Sequence, residues 1–406
     1  MPPASPALPD AGSRIEGLDG LRGVAVLLVM LVHIGLVGSG WVGVQIFFVL
    51  SGFLITRILL QAKEGAGAKS YFGTFYLRRS LRIFPAYYAY LLLMFAGAWL
   101  LQPSLWEGLK PLAPYLLSYT YNYGILLVDQ PPASRWLVHL WSLQVEEQFY
   151  LLWPLLIWLL PRRFLLPVTL GLVLAGPLLR GAVYAWATQL DGMPISPANI
   201  VYLFTLSHID AFAIGAAMAV PSVREGLARL PNPLFALATL AVIALGVGWN
   251  GAAGNPQGTQ YAPLILGFPV LLPAKGQWLW GYSAVNLLAA ILLAKAMLQG
   301  FGRGLLSHPA LEALGRVSYG AYLIHFGITL LFWPLSLRWV EATGWPVWSG
   351  TLLWAPLYVL TVFALSWLSF RYFEAPILRL KSRFPTAGAP NEARSSAGTD
   401  GLGATR

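Results

Sequence analysis

The chain has 406 residues, of which 57% are hydrophobic and 10% charged, with 17 tryptophans, a mean hydropathy of +0.64 and a formal net charge of +10. A soluble domain carries about 25% charged residues, so the composition excludes an ordinary soluble protein and describes a chain that crosses a membrane several times. The positive excess is read first as a topology signal rather than a nucleic-acid surface, and the absence of cysteine excludes disulfides, thiolate metal sites and a cysteine-linked acyl intermediate.

Residues 1–14 are rich in Pro and Ala, lack an apolar core behind a basic start, and read as a disordered tail, not a cleaved leader. The first apolar run follows Leu18-Asp19-Gly20-Leu21-Arg22-Gly23 and ends at His33, with only aliphatic residues and Met between Gly23 and His33. Eleven residues separate Arg22 from His33. On a helix that spacing puts them about 20° apart around the axis and about 16 Å apart along it. Ionisable groups on one face of a membrane helix are costly, and functional candidates by default. The competing reading has Arg22 as an interfacial charge and His33 as a hydrogen-bonded core residue.

Apolar stretches of spanning length predict ten transmembrane helices, at 21–37, 42–60, 84–101, 143–160, 164–187, 201–220, 234–249, 279–298, 317–335 and 351–370. Residues 111–128 carry four tyrosines and suit an interfacial or re-entrant segment, and 261–273 is short and rich in proline. With ten spans and both termini cytoplasmic, 19 of the 26 lysines and arginines fall inside, and only Lys110, Arg135, Lys275 and Arg338 fall in external loops. Taking 111–128 as a further span would put Arg162 and Arg163 outside and invert every later loop. The expected architecture is an all-α integral membrane bundle of about ten helices over residues 15–384, followed by a disordered tail over 385–406 that lacks aromatic residues and apolar periodicity. No internal repeat is evident.

Five segments stand out in order: the Arg22/His33 helix, Gly43 to Ile55 (GVQIFFVLSGFLI), Tyr76 to Tyr87 (YLRRSLRIFPAY), His139 to Pro154 (HLWSLQVEEQFYLLWP) and Leu314 to His325 (LGRVSYGAYLIH). Together they resemble the acyltransferase-3 family of bacterial integral membrane O-acyltransferases, whose members acetylate O-antigen, nodulation factors, peptidoglycan and macrolides. The resemblance runs from about Leu18 to Leu380. The family's arginine–ten residues–histidine motif falls on Arg22 and His33, and its WSL-x-VEEQFYL segment on Trp141 to Leu151. His208-Ile209-Asp210 looks like the family's aspartate helix, except that His208 stands where an arginine is often found. Some relatives carry a C-terminal extracytoplasmic SGNH domain. None is expected here, and if those relatives need it to finish transfer, the expectation is action alone or with a separate extracytoplasmic transferase partner.

The resemblance implies acyl transfer from acyl-CoA, with acetyl-CoA the expected donor, at the bacterial inner membrane to a hydroxyl of a carbohydrate or lipid-linked glycan. Neither a tightly bound cofactor nor a metal is expected, nor nucleic acid; membrane lipids are the expected surroundings. His33 would act as base or as transient acyl carrier, its ordinary pKa of about 6.5 suiting the task. Glu146 or Glu147, reaching a similar depth, would orient it; the competing reading of these glutamates is a helix N-terminal charge. Arg78, Arg79 and Arg82 share a helix surface and would bind the donor phosphates with Arg22, unless they are plain positive-inside charge. Asp19, Asp210, Tyr150, Ser142 and His325 are possible supports, with Asp19 and Asp210 expected to pair with arginines and His325 to make a helix contact. Trp141 could stack on the acceptor. Ser51 is expected to serve packing, and Arg180 to have an acidic partner. A transporter or flippase of glycosylated or acylated lipids, with Arg22 and His33 lining its pathway, is the alternative function.

Overall fold

The computed structural model describes residues 15, 17–128, 136–190, 195–254, 264–270, 272 and 276–384. Both expected terminal tails lie outside the described residues. Among those described there is no strand, and the chain is an all-helical integral membrane protein.

Each apolar stretch read from the sequence lies on a helix or, in one case, on a bent pair of helices. In chain order these are α1 (Leu18–His33), α2 (Val42–Gly65), α3 (Ala68–Leu101), α4 (Trp141–Leu159), α5 (Leu165–Ala187), the pair α6 (Pro197–Leu203) and α7 (Ile209–Ala217), α8 (Asn232–Ala252), α9 (Gln277–Gln299), α11 (Ser318–Thr343) and α12 (Val347–Ser369), with the short polar helix α10 (Pro309–Arg316) before α11. Among the described residues, seven helices are long and apolar enough to cross a membrane, or eight if the bent pair is one span. At 16 residues α1 is shorter than the usual span of about 20, and α4 carries two glutamates in its first half. α3 begins well before the expected span, so Arg78, Arg79 and Arg82 stand on the same continuous helix as the apolar residues that follow. Residues 103–127 fold into short helical pieces, interrupted at Tyr119, whose φ is 56°.

The expected span at 201–220 is broken instead of straight. α6 stops at Leu203, Phe204 is extended, and the chain resumes at an angle of 69°. Backbone carbonyls freed in lipid must find donors within the protein. Here they do: Asn122 Nδ2 donates to Leu203 O (3.2 Å), His208 Nε2 to Tyr202 O (2.8 Å) and Arg180 Nη1 to Ser207 O (2.8 Å).

Arg180 is also the charge that holds this corner. Its guanidinium donates to Asp210 Oδ2 (3.1 Å), Ser283 Oγ (2.5 Å) and Leu279 O (2.9 Å), and Ser283 Oγ donates in turn to Asp210 Oδ2 (2.5 Å). Both ionic side chains are fully enclosed. The acidic partner expected for Arg180 is therefore Asp210, and the arginine reaches it from α5, a different helix. The bent pair then meets α2 at a backbone crossing. A Cβ on Gly52 would lie 2.1 Å from Phe212 O, and one on Gly215 would lie 2.1 Å from Val49 O. Only glycine allows the two helices to approach this closely.

Removing one member of a buried ion pair leaves an uncompensated charge and costs about 3–5 kcal/mol, whereas replacing both with apolar groups costs much less. Arg180→Leu is expected to destabilise the protein by about that amount, with Arg180→Leu/Asp210→Leu recovering most of the loss, as read by unfolding in detergent micelles.

Candidate active site

A cavity of about 350 Å³ opens between α1, α2, α3, α4 and α11. Arg22 reaches it from α1, Ser51 from α2, and Arg78, Arg79 and Arg82 from α3. Ser142, Glu146, Glu147 and Tyr150 come from α4, and Tyr319 and Tyr322 from α11, while Lys381 arrives from a turn beyond α12. The helical period explains the grouping: positions 78, 79 and 82 share one surface of α3, and positions 142, 146 and 150 share one line along α4. Five cations and two carboxylates line the same chamber.

Their pairing is uneven. Arg22 Nη1 contacts Asp19 Oδ1 at 3.2 Å, as expected for that neighbour. The Arg79 guanidinium lies over the Tyr150 ring, 4.8 Å from its centroid, a cation–π arrangement. Arg78 donates to two carbonyls of the C-terminal segment, Lys381 O (3.1 Å) and Phe384 O (2.8 Å). Arg82 has no ion pair or hydrogen bond among the described residues. Glu146 Oε1 accepts from both Ser51 Oγ and Tyr150 OH, and the two hydroxyls are 3.0 Å apart. Glu147 has no hydrogen-bond or ion-pair partner among the described residues. Ser51 was expected only to pack; its neighbour Gly52 does that, while its own hydroxyl joins the polar wall.

At the far end, Tyr322 closes the chamber. Its hydroxyl is hydrogen-bonded to Ser142 Oγ and donates to His139 O (2.8 Å). Immediately behind stand three histidines. The rings of His33 and His325 are 4.9 Å apart, and those of His325 and His139 are 5.2 Å apart. A carbonyl can only accept, which assigns the ring protons. His325 Nδ1 lies 2.7 Å from Tyr322 O and therefore carries hydrogen, leaving Nε2 as an acceptor. His33 Nδ1 lies 2.8 Å from Val29 O and 3.1 Å from His325 Nε2, so its N–H is shared between them. The lone pair of His33 is thereby placed on Nε2, which has no protein partner among the described residues. His139 Nε2 faces Leu323 O at 3.0 Å, and its buried Nδ1 has no hydrogen-bond partner among the described residues.

The expected Glu–His pairing is not formed. The hydrogen-bonding partner of His33 is His325, and both glutamates face the chamber among hydroxyls and arginines. The physical reason is that positions 146 and 147 lie along α4 past Ser142, beyond the Ser142–Tyr322 bond that separates the two groups. Trp141 is also not available for stacking on a ligand. It is 5% exposed, with Tyr202 at 4.4 Å and His208 at 5.4 Å between ring centroids. Asp210 supports the Arg180 corner and does not face the chamber. Residue types alone left Tyr319, Tyr322 and His139 unremarked, though each lies inside a quoted motif, and helical spacing from His325 would have found Tyr322.

A chamber walled by cations is set inside the helical bundle, with Tyr322 in its wall and a histidine pair behind that tyrosine. The family model described as an acyltransferase domain matches residues 15–371, and the chain belongs to that family. The putative peptidoglycan O-acetyltransferase YrhL of Bacillus subtilis is 31% identical over 386 residues, which cover 89% of this chain and 55% of that protein. The peptidoglycan O-acetyltransferase OatA of Listeria monocytogenes is 28% identical, covering 89% of this chain and 56% of that protein. A putative O-acetyltransferase of Staphylococcus aureus is 24% identical, covering 85% and 59%. The chain thus spans a little over half the length of these curated relatives. No solved structure gives a significant match.

The two glutamates should respond differently to mutation. Glu146→Ala strips two hydroxyls of their acceptor and is expected to lower the thermal unfolding midpoint by several degrees, consistent with loss of about 1–3 kcal/mol. Glu147→Ala, which breaks no contact with the described residues, should leave it within about a degree.

Proposed function

We propose that this chain is a membrane O-acyltransferase that takes an acetyl group from acetyl-CoA and transfers it to a hydroxyl of a cell-envelope carbohydrate. Peptidoglycan is the acceptor named for two of the relatives, and a glycan of that class is the acceptor proposed here. The observation that carries the reading is the continuity of the site: a cation-lined chamber whose end wall, Tyr322, is hydrogen-bonded to the histidine group that holds His33.

In this reading both termini are cytoplasmic and the arginine end of the chamber opens there. The phosphates of CoA lie against Arg79, Arg82 and Arg22, where charge-assisted hydrogen bonds are strong. Arg79 stays available because its Tyr150 contact engages the face of the guanidinium and leaves its N–H edges open. The Glu146, Ser51 and Tyr150 group holds the chamber wall in shape. Glu147, without a protein partner, is the carboxylate that meets the donor. The thioester points toward Tyr322, and the acceptor approaches from the other side of the membrane.

His33 then acts as the general base. Its Nε2 takes the proton of the acceptor hydroxyl, and the freed oxygen attacks the thioester carbonyl. The C–S bond breaks, and the leaving CoA thiolate takes up the proton that the His33 imidazolium releases, which restores the neutral base. The shared Nδ1–H bond to Val29 O and His325 Nε2 holds the imidazole in the tautomer this step needs. Because the Ser142–Tyr322 bond stands between chamber and histidines, its opening precedes transfer.

The test uses purified protein in vesicles with labelled acetyl-CoA and a glycan acceptor. Wild type is expected to form the labelled acetyl ester, and His33→Ala to lose at least about a hundredfold in rate, the usual scale for a general base, with CoA binding retained. Wild-type turnover by His33→Ala would contradict the role of His33. Movement of the glycan across the bilayer with no ester formed would favour transport instead.

A further inference from the structure

The chamber has one cation from outside the matched family region. Lys381 lies in the 3-10 turn Leu380–Arg383, after residue 371, where the family match ends. It lines the chamber together with Arg22, Arg78, Arg79 and Arg82. Its ammonium has no ion pair or hydrogen bond among the described residues, although the backbone beside it is firmly held.

Two attachments put it there. α12 ends in a π-helical turn, Phe370–Glu374, and a π turn shifts the phase of the helix that follows. Glu374 in that turn is buried, accepts a hydrogen bond from Ser369 Oγ at 3.0 Å, and packs so tightly on α11 that a Cβ on Gly320 would lie 3.0 Å from Glu374 Oε1. The short helix Ala375–Arg379 then runs back toward α3. There Arg78 donates to the carbonyls of Lys381 and Phe384, at 3.1 and 2.8 Å, and fixes the turn across the chamber. Arg78, expected to grip the donor, is largely engaged with this backbone. Lys381 brings the replacement charge.

We infer that Lys381 is a donor-binding residue that contacts the ribose 3′-phosphate of CoA, and that Arg78 is the residue that positions it. The inference rests on the proposed reading of the chamber as the donor site. Its direction follows from order along the chamber. Arg79 is the inner cation, stacked on Tyr150 beside Glu146, whereas Lys381 sits among the exposed residues Ser382, Arg383 and Phe384 at the outer end. A donor whose thioester faces Tyr322 leaves its nucleotide end at that mouth, and the 3′-phosphate is the charged group of CoA farthest from the thioester. A lipid headgroup offers the same phosphate chemistry, so the experiment must separate the two.

Full-length protein in phosphatidylcholine nanodiscs is titrated calorimetrically with CoA and with 3′-dephospho-CoA. Wild type is expected to prefer CoA by about tenfold, the scale of one charge-assisted contact. Lys381→Gln should bind both ligands with the affinity wild type shows for 3′-dephospho-CoA, and Lys381→Arg should restore the preference. Arg78→Gln should reduce the preference for CoA over dephospho-CoA, and Arg78→Lys should restore part of it. A Lys381→Gln protein that keeps the full preference overturns the inference. So does a loss that appears only in nanodiscs containing phosphatidylglycerol, which would assign the lysine to lipid. Absence of any CoA binding by wild type would instead overturn the donor reading on which the inference stands.

Discussion

A helical bundle in lipid must neutralise every enclosed charge from within, and in this protein the Arg180–Asp210 ion pair does so where three elements meet. The guanidinium joins α5 to the carbonyl of Ser207 at the bend, to Asp210 at the start of α7, and to Leu279 and Ser283 on α9. That fixes the bent pair. The bent pair meets α2 through Gly52 and Gly215, one residue from Ser51, whose hydroxyl is bound to Glu146 in the chamber wall. A charge that never faces the chamber therefore helps to set its shape.

The chamber itself divides its polar groups between fixed and unfixed ones. Ser51, Glu146 and Tyr150 bind each other, and Arg78 binds the C-terminal turn, so these groups form a rigid frame. Arg82, Glu147 and Lys381 have no such contacts among the described residues, and in the proposed reading they are the groups that meet the ligand. The histidine end has the same division on a smaller scale. Val29 O, His325 and Tyr322 O settle one nitrogen of each ring, and His33 Nε2 remains. A site of this kind is built by satisfying most of its polar atoms and leaving a few in defined directions.

Much of this was legible in the sequence because the signals were local. Ten apolar stretches found helices, and the eleven-residue interval placed Arg22 and His33 toward one side of α1. The spacing of Arg78, Arg79 and Arg82 gave a shared surface, and an acidic partner for Arg180 followed from the cost of a lone charge. The remainder depended on contacts between distant segments. No period in the sequence shows that the span at 201–220 breaks at Phe204, since the donors that permit the break come from Asn122, Arg180 and His208. Nothing local tells that Arg78 binds carbonyls some three hundred residues later, or that Lys381 is more than an ordinary basic residue after a last span. The pairing of His33 with His325 instead of a glutamate was hidden for the same reason: similar depth in a bilayer does not decide which helices are neighbours.

The account's central claim is that the arginine chamber and the histidine pair are two ends of one donor path. Its most direct test is the cryo-EM structure of the protein in nanodiscs with a non-hydrolysable acetyl-CoA analogue. The account predicts the nucleotide against Arg79, Arg82 and Lys381, with the acyl end at the Ser142–Tyr322 wall on the side toward His33. Analogue density at another place in the bundle, or an acyl end directed away from Tyr322, would contradict it.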